Sequence, residues 1–155
     1  MKKLLNNKKG FTLIELLAVI VILAILVMVA IPAVTKYLNA ARQGTFADNA
    51  KSAISAVRND VIIKGNQNDT YTLEKINGLL EKKLNTSPWG AKYAATSCVK
   101  VVTTNDKTEY SMCLIDEEGH GWKTALDENE IKDDSASITG VKDESGNTIK
   151  TCSCS

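Results

Sequence analysis

One acidic side chain, Glu15, interrupts an otherwise apolar N-terminal segment. The segment from Phe11 to Ile31 reads FTLIELLAVIVILAILVMVAI, and its only other polar residue is Thr12. These 21 residues are enough to span a bilayer as a helix. Because a carboxylate is costly in lipid, an acid in such a segment indicates a function that involves a partner.

The residues before this segment form a short basic leader, MKKLLNNKKG, which contains four lysines. A secretory signal would have a small-residue cleavage site after its apolar region, and no such site follows here. The alternative is an uncleaved membrane anchor whose lysines hold the N-terminus in the cytoplasm. That alternative accounts for the lysines and the apolar run, but it leaves Glu15 unexplained.

The seven residues KGFTLIE, which end at Glu15, resemble the class III signal of type IV pilins and pseudopilins. The resemblance implies that a prepilin peptidase cuts after Gly10 and methylates the new N-terminal Phe11. It also implies a helix kink at Pro32, where the family commonly carries a proline. The resemblance is strong over roughly residues 1–60 and weak beyond them.

The same resemblance implies a role for Glu15 in assembly. After cleavage, Phe11 would carry an amino group that is positive near neutral pH, and a buried carboxylate needs an opposite charge or strong hydrogen bonds. In the family, the acid of an incoming subunit pairs with the neighbour's amine and sets the axial register. The other interpretation places Glu15 at the lipid headgroups, near the end of an ordinary membrane helix.

The family implies a structural subunit, a prepilin held in the cytoplasmic membrane before it is assembled into an extracellular filament on the cell surface. Its partners would be further copies of itself, the prepilin peptidase and methylase, the inner-membrane assembly machinery and, before assembly, the membrane. One alternative is a pseudopilin of a type II secretion or competence and DNA-uptake system. Another, from a different class, is an uncleaved membrane-anchored binding domain.

Composition limits the other functions. The 155 residues provide for one modest domain. Without residues 1–10 the chain has 15 basic and 18 acidic side chains, a net charge of −3, and residues 116–144 alone carry −7. No nucleic-acid partner is therefore indicated, because even non-specific binding requires a basic patch. A single histidine and the lack of a Gly-rich phosphate loop argue against an enzyme.

Apolar residues continue beyond Pro32 at steps of three or four, which predicts an amphipathic helix face. Gly65 is the expected stop signal, so one helix is predicted over about 11–64. The predicted fold class is α+β, the pilin fold, in which this long N-terminal helix packs on a small antiparallel β-sheet head. The predicted divisions are a leader (1–10), a transmembrane or filament-core helix half (11–32) and a globular head with the amphipathic helix half (33–155).

A hairpin is predicted over residues 98–104 and 107–115, which alternate like strands on either side of Asn105-Asp106. With a two-residue turn, Thr104 pairs with Lys107, and the residue numbers of every later pair have the same sum, 211. Cys98 therefore lies opposite Cys113. Both cysteines then lie on the outer face of the hairpin. The other face, expected to be the core side, carries Val99, Val101, Tyr110, Met112 and Leu114.

The four cysteines, an even number in an exported chain, favour disulfides over a zinc site. A bond between directly opposite cysteines fits disulfide geometry poorly, and a bond between Cys152 and Cys154 would close a very small ring. We therefore predict two disulfides that tie the C-terminal tail to the hairpin through Cys98 and Cys113. The pairing stays open at this point.

Weaker patterns occupy the rest of the chain. Residues 66–70 are predicted to be a polar loop, and residues 73–84 have helical spacing, with Thr70 or Thr72 as the cap. The sequence SPWG at 87–90 resembles the Pro-Trp-Gly loop of major pseudopilins in type II secretion. We expect it to be a packing corner without a ligand, because no polar groups are seen to converge there. Further expectations are a turn at 116–121 anchored by Trp122, a turn role for His120, and a last hairpin over 141–149.

The acid-rich segment offers oxygen ligands that calcium would accept on flexible loops. No EF-hand pattern is present, and solvated surface acids are the favoured interpretation. No cofactor is therefore expected, with calcium as the lower-ranked alternative. The weak candidate ligands are Asp116, Glu117, Glu118, Asp127 and Asp133.

Overall fold

The computed structural model describes residues 10–65, 68–105, 107–137 and 139–154, so residues 1–9 of the predicted leader lie outside the described part. The chain divides into two compact units, one that ends at Leu38 and one that begins at Asn39. The predicted α+β class is confirmed. The elements in chain order are α1 (Leu13–Lys64), β1 (Asn68–Thr72), α2 (Leu73–Leu79), β2 (Cys98–Thr104), β3 (Lys107–Cys113), β4 (Leu126–Asp127) and a 3₁₀ turn (Glu128–Glu130).

Helix α1 is the predicted long helix, and its 52 residues begin at Leu13 and end at Lys64. The helix ends because Gly65 adopts a left-handed conformation, with φ of 67°, and its N–H donates to the carbonyl of Val61 at 2.8 Å. Pro32 lies inside the helix and does not end it. The kink at Pro32 stays a prediction.

The four strands form one antiparallel sheet in the order β1-β2-β3-β4. The register between β2 and β3 is the predicted one, from Cys98 opposite Cys113 to Thr104 opposite Lys107. Asn105 has a positive φ of 50°, which asparagine tolerates in turns, and Asp106 lies outside the described residues. The predicted core side of the hairpin is confirmed, since these side chains are buried: Val99, Val101, Tyr110, Met112 and Leu114.

The polar loop predicted for residues 66–70 is wrong where the chain is described. Residues 68–70 belong to strand β1, which pairs with β2 from Asn68 opposite Val102 to Thr72 opposite Cys98. This strand has little apolar alternation, and only Tyr71 is buried along it. Strand β1 therefore forms because the edge of β2 offers backbone hydrogen-bonding groups to it. The sequence of β1 itself does not reveal that partner.

The second helix is shorter than predicted. Its cap is Thr72, whose hydroxyl accepts from the N–H of Lys75 at 3.5 Å, but it ends at Leu79. The side chain of Asn77 accounts for the early end, because its Oδ1 accepts from the N–H of Leu84 at 2.7 Å and its Nδ2 donates to the same residue's carbonyl at 3.4 Å. The chain is thus turned back, and Leu84 enters the core as a loop residue.

One face of α1 and the inner face of the sheet share the main hydrophobic cluster of the second unit. Phe46 is fully buried at the centre of its aromatic group, with ring centroids 5.2 Å from Trp122, 5.6 Å from Trp89 and 5.8 Å from Tyr93. The anchoring role predicted for Trp122 is confirmed. The other buried residues of α1 are Ala47, Ala50, Ala53, Ile54, Val57, Asp60 and Val61.

The buried Asp60 has polar partners near the end of α1. The ammonium of Lys64 lies 2.9 Å from its carboxylate, and the hydroxyl of Tyr71 donates to it at 2.9 Å. The hydrogen bond from Lys64, which outweighs the opposing effect of burial, lowers the pKa of Asp60. At pH values above the ordinary pKa of an aspartate, this carboxylate therefore stabilises the fold. The stabilisation is lost as the pH falls through the lowered pKa of the folded state.

The C-terminal loops agree with the sequence analysis. The turn after Asp116 uses Gly119 and Gly121, both with positive φ, and a Cβ on Gly121 would lie 2.2 Å from the carbonyl of Leu114. Lys142 pairs with Thr148 around a turn with Gly146 in the left-handed region, which confirms a small last hairpin.

Candidate functional site

The N-terminal unit presents an apolar helix surface that is exposed over its whole length. Phe11 is 89% exposed, and the large apolar side chains from Leu13 to Val34 are each at least 49% exposed. By length and composition, α1 contains a stretch that could cross a membrane. A surface of this extent is unstable in water, so it requires lipid or protein around it.

Glu15 lies in the first turn of α1 and forms a reciprocal capping pair with Thr12. Its Oε2 accepts from both the N–H and the hydroxyl of Thr12 at 2.7 Å, and the Glu15 N–H lies 3.3 Å from the same hydroxyl oxygen. The Thr-x-x-Glu spacing is a capping box, a signal that our sequence analysis overlooked. Among the described residues, Oε1 accepts no hydrogen bond, so half of the carboxylate is open to a further donor.

The second potential site is the group of four cysteines at the C-terminal tail. The bonds are Cys98–Cys154 and Cys113–Cys152, with Cα separations of 6.1 and 6.0 Å, within the range that disulfides favour. Both join the tail to the outer face of the hairpin, as predicted. Together with Ala125 the cysteines form a small apolar cluster apart from the main core.

We expect peptide mapping without reduction to recover these two pairs and no Cys98–Cys113 bond. The reason is that the tail lies beside the hairpin, so each hairpin cysteine has its own partner in the tail. Each bond would stabilise the fold by about 2–4 kcal/mol. Four free thiols, or a stoichiometric metal released by a chelator, would contradict the prediction.

A third group of polar side chains lies at the Pro-Trp-Gly turn. Asp116 is fully buried, and its carboxylate accepts from the Ser87 hydroxyl at 2.6 Å and from the backbone N–H groups of Glu118 and His120 at 3.0 and 2.9 Å. The His120 ring nitrogen Nδ1 lies 3.0 Å from the same carboxylate, and the ring stacks on Trp89 at 4.7 Å.

The expectation that no polar groups converge at this turn is therefore wrong. These groups cannot be recognised from the sequence, because Ser87 and Asp116 are 29 residues apart and meet only in the fold. Asp116 accepts bonds from both segments, so the group connects the turn at 87–90 with the turn at 116–121. His120 belongs to that second turn, as predicted.

The five weak calcium candidates do not gather into one group. Asp116 is engaged as described above, Asp127 caps the 3₁₀ turn, and Asp133 lies 3.6 Å from the ammonium of Lys51. Within the described parts of the chain, no three His, Cys, Asp or Glu side chains lie close enough together to hold a metal ion.

Comparison with known proteins finds similarity over part of the chain. A family model, the prokaryotic N-terminal methylation motif, matches residues 5–31. A fimbrial protein of Moraxella nonliquefaciens is 46% identical over 57 residues, which are 35% of this chain and 37% of that protein. The match thus spans about a third of the relative's length. No solved structure matches the chain.

The fold and the N-terminal site define a class: an α+β protein with a methylation motif at the start of an exposed, membrane-length helix. Within that class, residues 5–31 carry the methylation motif, and a stretch of 57 residues of the chain is similar to a fimbrial protein.

Proposed function

We propose that the chain is a prepilin that is cleaved after Gly10, methylated on Phe11 and assembled into an extracellular type IV pilus-like filament. One observation carries the proposal, namely that the methylation motif leads directly into an exposed apolar helix with Glu15 in its first turn. Such a helix needs lipid before assembly and other copies of itself afterwards. The proposed function requires no catalytic group and no cofactor.

The proposed location follows from the same helix. The subunit is held in the cytoplasmic membrane as a single-pass protein, with its leader in the cytoplasm and the disulfide-bonded head outside. Prepilin peptidase and methylase process it there, and the inner-membrane assembly machinery extracts it. Filament growth then replaces lipid around the helix with the helices of neighbouring copies.

Glu15 is the proposed register residue. Its Oε1 has no hydrogen-bond donor among the described residues, which supports a role in accepting one from a neighbouring copy. The new amino group of a neighbour's Phe11 supplies both a donor and a positive charge. Pairing of this kind is favoured at a single axial offset, because a carboxylate left unpaired in the apolar filament core is destabilising.

Leader processing is the direct test. Intact-mass analysis of purified filaments should show the loss of residues 1–10 and the addition of one methyl group, with the methyl located on Phe11 by fragmentation. A control variant, Gly10→Val, should remain at full length in the membrane because the motif requires glycine before the cut. A mature wild-type protein that begins at Met1 would contradict the proposed function.

A pseudopilin role is the second candidate, and the Pro-Trp-Gly turn at 87–90 favours it. Its Gly90 adopts a φ of 97°, and the turn packs Trp89 against Phe46 and His120. Electron microscopy of material sheared from the cell surface separates the candidates. Long filaments are expected for a pilin, and short filaments or none for a pseudopilin.

A further inference from the structure

Two exposed groups of opposite charge flank helix α1 in the second unit. The basic edge consists of Lys82 and Lys83, and the acidic edge consists of Asp133 and Asp134; all four side chains are exposed. With the adjacent Glu81 included, the basic edge carries a net charge of +1. The segment around the acidic edge, residues 127–134, holds five acids and one lysine. With Lys51 and Arg58, which pair with acids of this segment, its net charge is −2.

The basic edge lies beside a cleft of about 190 Å³ between α1 and the loop after α2. Lys82 and Lys83 line it together with Thr45 and Asn49 of α1, and no acidic residue lines it. The loop is held in place because Leu84 is buried and because the Asn49 amide donates to the Tyr93 hydroxyl at 2.9 Å. Burial raises the pKa of Tyr93 to about 12, so this hydroxyl remains neutral.

The acidic edge lies beside a second cleft, of about 390 Å³, between α1 and residues 131–134. Gln43 of α1 holds this loop, because its amide donates to the carbonyls of Ala136 at 2.7 Å and Asp134 at 3.3 Å. Asp133 is paired with Lys51 at 3.6 Å. Among the described residues, the carboxylate of Asp134 takes part in no ion pair, and neither do the ammonium groups of Lys82 and Lys83.

The two edges face away from each other around α1. Asn49 lines the basic cleft and Lys51 the acidic one, and two residues apart on a helix they project about 160° from each other. Exposed residues of α1, among them Asp48 and Ser52, lie between the two clefts. The basic and acidic edges of one molecule therefore do not neutralise each other, and both are held in position by buried or hydrogen-bonded neighbours.

We propose that these edges are the two sides of a contact between neighbouring copies, with Lys82 and Lys83 of one copy against Asp133 and Asp134 of the next. The inference rests on the proposed function, since it names a partner surface within that filament. A contact between two different surfaces adds copies head to tail, and the series stays open as a helical filament when its rotation does not close into a ring. Like edges repel, so the same charges oppose a closed, symmetric pair.

Charge reversal tests the pairing in cells that assemble the wild-type protein. The double variants Lys82→Glu/Lys83→Glu and Asp133→Lys/Asp134→Lys should each lower filament yield by roughly tenfold or more, because like charges then face each other. Lys142→Glu/Lys150→Glu makes the same change in net charge as the Lys82→Glu/Lys83→Glu variant, at exposed positions outside both edges, and should keep the wild-type yield. Wild-type yields from both edge variants would overturn the inference.

Co-expression of the two edge variants gives a sharper result. Alternation of the two variants along the filament restores opposite charges at every contact, so the mixture should form filaments that neither variant forms alone. The fourfold variant, with both edges reversed, should likewise recover. Failure of both the mixture and the fourfold variant, with all subunits present in the membrane and fully disulfide-bonded, would count against the pairing.

Cross-linking of wild-type filaments checks the contact without any substitution. A zero-length carbodiimide should join Lys82 or Lys83 to Asp133 or Asp134 in species of dimer mass, and the Lys51–Asp133 pair within one chain serves as the positive control. Filaments that yield the control link and no link between the edges would overturn this inference alone. A wild-type chain that forms no filament would overturn the proposed function, and this inference with it.

Discussion

Replacing Glu15 with leucine is expected to abolish filament assembly while the subunit still enters the membrane. Insertion does not suffer, because removing an acid from an apolar segment lowers the cost of placing it in lipid. Assembly fails because the amino group of a neighbour's Phe11 is then buried without its partner. Breaking a buried charge pair in this way costs about 3–5 kcal/mol per contact, and a filament repeats that cost at every subunit.

Immunoblots of the membrane and sheared fractions measure the two effects separately. The matched control is Thr12→Ala, which removes the capping partner of Glu15 and keeps the carboxylate. Loss of the cap costs about 1 kcal/mol at the helix start, so this variant should still make filaments. Wild-type filament yield from Glu15→Leu as the sole subunit would show that the carboxylate does not set the register.

Truncating Phe46 to alanine is expected to lower the free energy of unfolding by about 3–5 kcal/mol, the usual cost of removing a fully buried aromatic ring. This ring contacts Trp89, Tyr93 and Trp122, so its loss leaves a cavity among three large side chains. The measurement is denaturant unfolding of the full-length protein in detergent micelles, followed by tryptophan fluorescence. Both tryptophans of the chain lie against Phe46, so the signal reports on this part of the core.

Ile63→Ala is the control for this experiment. It removes a large apolar side chain from the same helix, but at a position that is 82% exposed. Its effect on the free energy of unfolding should stay within about 0.5 kcal/mol. A Phe46→Ala protein as stable as the Ile63→Ala protein would mean that the aromatic group around α1 is not the centre of the core.

Much of the fold could be predicted where the signal is local or periodic. Helix α1 was predictable because its apolar residues recur at helical spacing and Gly65 stops it. The β2–β3 register was predictable because a two-residue turn and the alternation of apolar residues agree on one pairing. Two independent local constraints that select the same register leave little freedom for another arrangement.

The misses share a physical cause, which is that the deciding partner lies far away in the chain. Strand β1 exists because β2, some thirty residues later, offers its backbone groups. Helix α2 ends early because Asn77 finds the backbone of Leu84. The buried carboxylate of Asp116 has partners from two segments of the chain, including Ser87. None of these contacts leaves a periodic pattern in the sequence.

By itself, the sequence determined the N-terminal motif, the apolar helix and the hairpin that places Cys98 opposite Cys113, because each depends on neighbouring residues or a fixed period. It also limited the disulfides to bonds between tail and hairpin. Only the tertiary structure decided that Cys98 joins Cys154 and Cys113 joins Cys152. The physical reason is that the choice of partner depends on the path of the tail across the hairpin, which packing determines and which residue spacing alone does not encode.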